Sequence, residues 1–86
     1  MIEFDQYKQT LAGLAEDFDR LREALHIRQV GDEIAELEAR AQAPDFWEDI
    51  DRAQRIQTKV KHLQKKVDRF DRLMQDYEDL QVLCEL

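Results

Sequence analysis

Six side chains stand out by type and spacing. Arg52, Arg55, Lys59, His62, Lys66 and Arg69 each lie one residue before an apolar position, namely Ala53, Ile56, Val60, Leu63, Val67 and Phe70. On a helix this arrangement draws one line of charge beside a buried seam. Residues 52–67 hold six lysines and arginines and no acid, in a chain whose 13 basic and 20 acidic residues give a net charge of −7. Such a stripe can dock phosphates or an acidic protein surface. It can also pair within the chain, because Glu33 and Glu36 form a matching flank on an earlier segment and flanking charges set register in helical bundles. Each such exposed pair is worth under about 1 kcal/mol.

Other candidates for chemistry are weaker. Asp45, Glu48, Asp49 and Asp51 form an acidic knot, but a calcium loop needs alternating ligands around a central glycine. Phe46 and Trp47 interrupt that spacing, and helix-start charge complementing the dipole is the expected role. His26 and His62 have no metal-like partner spacing and read as surface residues. The single cysteine, Cys84, falls on an apolar seam and reads as a small core hydrophobe. There is no serine, and Thr10 and Thr58 are the only threonines. No nucleophile–base–acid set can be assembled, so no catalytic residue, cofactor or metal is expected. Pro44, Phe46 and Trp47 mark a structural corner, where the two aromatics are expected to plug the end of a bundle, with a partner-facing Trp47 as the alternative.

The elements that carry these residues follow from periodicity. Phe4, Tyr7, Leu11, Leu14, Phe18, Leu21 and Leu25 advance in alternating steps of 3 and 4, the signature of a helix with one apolar face. Ile27, Val30, Ile34, Leu37 and Ala41 form a second such series. The two-residue step from Leu25 to Ile27 breaks the phase, which favours two helices over one helix overwound there; a two-helix hairpin with residues 4–43 continuous is the alternative. Pro44 ends the second, and Asp45 or Asp49 can cap the third helix. The third series runs from Ala53 through Ile56, Val60, Leu63, Val67, Phe70, Met74 and Tyr77 to Leu80 and Leu83 or Cys84. No Gly or Pro interrupts residues 48–86, so this helix spans roughly 55 Å. The expected helices are 3–25, 27–42 and 49–86. The fold class is all-α, an antiparallel three-helix bundle or helical hairpin with one long C-terminal helix.

Composition agrees. With 86 residues, two glycines, one proline and 38% charged residues, the chain is one small helical domain without the turns that a sheet or barrel needs. Its net acidity disfavours general nucleic-acid binding. It has neither a signal-like apolar N-terminus nor a membrane-length apolar run. A cytoplasmic location is expected, with no membrane partner and no small-molecule substrate. The apolar pattern reaches Leu86 without a cap, as if the natural chain continued, and an exposed seam makes self-association of the isolated domain a further expectation.

Residues Leu37 to Gln54 carry a more specific signal. Pro44, Asp45, Phe46 and Trp47, followed by Ala53 and Gln54, resemble the N-terminal domain of the bacterial peptide chain release factor 2 family. Leu21-Arg22 and Tyr77-Glu78-Asp79-Leu80 are similar too, so the resemblance covers essentially all 86 residues. It implies a first domain of a factor that reads stop codons in the ribosomal A site and triggers hydrolysis of peptidyl-tRNA. The family's Ser-Pro-Phe codon-reading and Gly-Gly-Gln hydrolysis motifs are both absent from this sequence, so no residue of either is carried over, and non-enzymatic work is implied. The implied partner is the ribosome, at the stalk base of the large subunit. The basic stripe, Arg52, Arg55, Lys59, His62, Lys66 and Arg69, is the candidate ribosome contact, assigned from charge and not from a family motif. Counting back from Pro44 places Leu25-His26 where genes of this family carry Leu-Asp across a programmed frameshift. A histidine codon cannot arise from that signal, so the gene is expected to lack it, and the nucleotide sequence at codon 26 decides. Two other classes are a generic coiled-coil adaptor and a helical chorismate mutase. The mutase needs cations converging inside the bundle, whereas here they lie beside the seam.

Overall fold

The computed structural model describes the backbone of residues 2–86 and the side chains of residues 3–86. Three α-helices occur in order: α1 over Ile2–Ala24, α2 over Ile27–Arg40 and α3 over Ile50–Glu85, with one 3-10 turn at Phe46–Glu48. No strand occurs among the described residues. At 1.5 Å per residue, α3 is about 54 Å long, and α1 and α2, about 34 and 21 Å, match it when laid end to end. Both pack on α3 and meet each other only around their junction. The molecule is therefore a helical hairpin with one arm divided in two, measuring 64 × 22 × 15 Å.

The division falls at Leu25-His26. The His26 N–H donates to the Glu23 carbonyl at 3.1 Å, tightening the last turn of α1, and the Val30 N–H donates to the His26 carbonyl at 2.8 Å, opening α2. Between them His26 takes the left-handed conformation, φ 54° and ψ 41°. One residue in that region redirects the chain and resets the apolar phase, which accounts for the two-residue step from Leu25 to Ile27. At the other corner, the Asp49 carboxylate accepts from the Arg52 N–H at 3.1 Å. It thereby caps α3, whereas Asp45 makes no side-chain cap.

The core is a stripe, because a structure two helices thick has one internal surface. Val30, Ile34 and Leu37 of α2 and Ala53, Phe70 and Tyr77 of α3 are buried. Leu11, Leu14, Phe18, Leu21 and Leu25 of α1 are half-buried. Phe18 and Tyr77 stack with ring centroids 4.6 Å apart. The Tyr77 hydroxyl donates to the Leu11 carbonyl at 2.8 Å and accepts from the Gln81 amide at 3.0 Å. This ties α1 to α3 with a satisfied polar group.

The seam ends differently from the expectation. Of the two alternatives for the last seam position, Cys84 faces inward as expected and Leu83 is 60% exposed, while Leu80 is 51% exposed and Gln81 takes the inward position beside it. The α3 surface facing α1 continues in alternating steps of 3 and 4 from Phe70 through Met74, Tyr77 and Gln81 to Cys84, whatever residues stand there. The apolar sequence slips out of that phase after Tyr77. Phe4 and Tyr7, level with the last turn of α3, are also exposed.

Candidate functional site

The basic stripe divides into three parts. Each of its residues sits one position before a seam residue of α3, so the whole line lies on one flank of the helix. At the corner, Arg52 shares a cleft of about 200 Å³ with Arg40, Asp45, Asp49 and Phe46, so acids offset its charge locally. Arg55 comes next and is exposed. In the middle, the Lys59 ammonium meets the Glu33 carboxylate at 2.8 Å. This is the only ion pair between helices among the described residues. Both side chains are roughly half exposed, so the pair chiefly sets the register of α2 on α3. Glu36, the other expected partner, turns away and pairs with Arg40 on its own helix at 3.0 Å. The intramolecular use of the stripe is thus confined to Lys59.

The third part is the most open. His62, Lys66 and Arg69, joined by Lys65, edge a cleft of about 570 Å³ between α3 and the end of α1. Its floor is Leu21, Leu25, Phe70 and Leu73, and no acid lines it. None of Lys65, Lys66 and Arg69 has a carboxylate within ion-pair distance among the described residues. Continued by one step, the stripe reaches Leu73 instead of another cation. The sequence reading missed Lys65 and Leu73 at this place. The spacing alone signalled both, since they lie within one turn of Arg69, but only the junction with α1 makes a cleft of them. Arg22 of α1 was missed as well: its guanidinium covers the Phe70 ring at 5.4 Å while bonding Asp19 at 3.1 Å.

The aromatic corner corrects an expectation. Phe46 and Trp47 meet edge to face, centroids 5.1 Å apart, but Trp47 is 56% exposed and only Phe46 is half-buried. The 3-10 turn sends neighbouring side chains in different directions, so one of the two faces inward and Trp47 does not plug the hairpin. Pro44 precedes that turn and is exposed. Among the described residues no group of three or more His, Cys, Asp or Glu is placed to hold a metal.

The chain is thus an all-α hairpin with a cationic flank on α3. The PCRF domain family matches residues 30–86, which are α2, the corner and α3, and the chain belongs to that family. It is similar to a protein named peptide chain release factor 2 from Petrotoga mobilis, 33% identical over 86 residues, covering 100% of this chain and 23% of that one. Similar proteins of the same name come from Corynebacterium glutamicum, 30% identical over 81 residues, 94% of this chain and 22% of that one, and from Saccharopolyspora erythraea, 45% identical over 53 residues, 62% and 14%. The chain spans less than a quarter of the length of these curated relatives. No solved structure matches it significantly.

Proposed function

We propose that this chain is the helical first domain of a release factor of the release factor 2 type, and that it contributes ribosome contacts to stop-codon-dependent translation termination in the cytoplasm. Membership of the PCRF domain family and relatives named peptide chain release factor 2 support the setting. The cationic flank of α3 carries the assignment of surface. At physiological ionic strength charges are screened beyond about 8 Å, so a partner meets the local strip of Arg52, Arg55, Lys59, His62, Lys66 and Arg69 and not the net −7. Codon reading and ester hydrolysis fall to motifs outside this sequence, and the domain is non-catalytic. The partner surface is rRNA or protein at the stalk base of the large subunit. Among the described residues no helix is long and apolar enough to cross a membrane.

The test is co-sedimentation of a release factor carrying this chain with ribosomes. Arg55→Glu with Lys59→Glu weakens association by about tenfold or more at low salt, with the deficit shrinking as salt rises. Because Lys59 also pairs with Glu33, the single Arg55→Glu variant separates binding from stability. Unchanged affinity in both variants, with folding weakened only when Lys59 is reversed, makes the stripe a register device and the chain an adaptor of another kind.

A further inference from the structure

We propose that the cleft between the end of α1 and the middle of α3 docks an acidic polypeptide segment bearing large apolar side chains. Two independent properties of the cleft meet in such an occupant. The first is its floor: Leu21 and Leu25 are half-buried seam residues where α1 ends, Phe70 lies buried beneath them, and Leu73 is 45% exposed beside them. An apolar recess of about 570 Å³ lies within the size range of built ligand pockets, and filling it with apolar side chains removes that surface from water. The second is its edge: Lys65, Lys66 and Arg69 stand together without acids in the lining. Elsewhere on the molecule Arg20, Arg22, Arg40 and Lys59 are paired with carboxylates. What distinguishes this edge is that its three cations stand together over an apolar floor, so an acidic occupant would complement it.

Nucleic acid meets only one of the two properties. A phosphate backbone answers the cations, but single-stranded bases need an exposed aromatic face for stacking. The one aromatic ring here, Phe70, is 4% exposed and lies under the Arg22 guanidinium. A free phosphate would leave the floor wet. From His62 to Leu73 the edge extends about 16 Å along α3, the length of three helical turns. A helix with acids on one side and apolar anchors three or four residues apart on the other fits that length. The proposal does not require the partner to be ribosomal, so it can fail without the ribosomal reading failing, and the reverse.

The experiment uses the 86-residue chain and a fluorescent synthetic helical peptide rich in glutamate with two leucines spaced i and i+4, read by anisotropy. The peptide is expected to bind, and binding to weaken by about tenfold or more when Lys66 and Arg69 are changed to glutamate, when Leu73 is changed to serine, or when both peptide leucines become serine. Lys8→Glu, on the exposed surface of α1 and outside the cleft, leaves affinity unchanged. Leu73→Ser removes an exposed side chain, so it reports on docking even if the double charge reversal perturbs folding, which circular dichroism checks. The proposal is overturned by no binding at millimolar chain, by affinity indifferent to the leucines or to Leu73, or by a single-stranded RNA of equal length binding more tightly than the peptide.

Discussion

His26 shows how a single backbone setting shapes this protein. The left-handed region is open to glycine and, among other residues, is enriched in Asn, Asp and His. It is strained for β-branched side chains, whose Cβ crowds the following carbonyl. His26→Val is therefore expected to lower folding stability by about 1–2 kcal/mol, while His26→Gly leaves it unchanged or raises it. Denaturant unfolding of the two variants decides, and equal destabilisation by both would remove the backbone explanation. The two actual glycines do no turning: neither has positive φ, and both lie inside helices, Gly13 in α1 and Gly31 in α2. The break between α1 and α2 falls on His26, and the chain reverses onto α3 at the corner that holds Pro44. Tyr77 is the other decisive residue, since its hydroxyl reaches across to the Leu11 carbonyl and holds α1 at the height where its end opens the cleft.

Among the helices, α2 is the best anchored and α1 the least. The three apolar residues of α2 at Val30, Ile34 and Leu37 are all buried, whereas α1 has no buried residue among those described. The family match begins at Val30 and takes in most of α2, the corner and α3, and α1 is laid along the rest of α3. Within α2, Gly31 faces open space where a Cβ would meet nothing within 4 Å. Gly31→Ala should stabilise the protein by about 1 kcal/mol through helix propensity alone, raising the melting temperature by about 4–8 °C for a domain of this size. Thermal unfolding by circular dichroism measures it, and a fall in melting temperature would show that α2 needs the bare backbone for a contact. The cleft results from this unequal anchoring: it opens where α1 stops at Ala24 and α2 starts on a new phase.

Taken whole, the protein is a rod. Its radius of gyration is 18.8 Å, against about 12 Å for a compact domain of the same length. Small-angle scattering at low concentration should return a value near the larger figure, and one near the smaller would mean that α1 folds back as a third layer. A dilution series also tests the expected self-association, for which Phe4, Tyr7, Leu80 and Leu83 are exposed large apolar residues. A radius that rises with concentration, and that stops rising in Leu83→Ser, supports it, and a concentration-independent radius removes it.

Much of this rod is written in local pattern. The alternating 3 and 4 steps, the proline corner and the lack of internal breakers give helices and their apolar faces, because helical geometry converts spacing directly into direction. The cationic line of α3 is legible for the same reason. Spacing cannot express which neighbour lies opposite. Only packing shows that Glu33 meets Lys59 while Glu36 turns to Arg40. Only packing carries the inward face of α3 through Gln81 and leaves Leu80 outside, and only packing chooses Cys84 over Leu83. The same holds for Trp47, turned outward by one 3-10 turn, and for the cleft, whose floor joins Leu21 and Leu25 to Phe70 and Leu73 from distant stretches of chain. The sequence by itself determined the helices and the charged flank, which depend on residues within a turn or two of each other. The tertiary structure decided which part of that flank is paired and which lies open over an apolar recess, because that depends on where one helix ends against another.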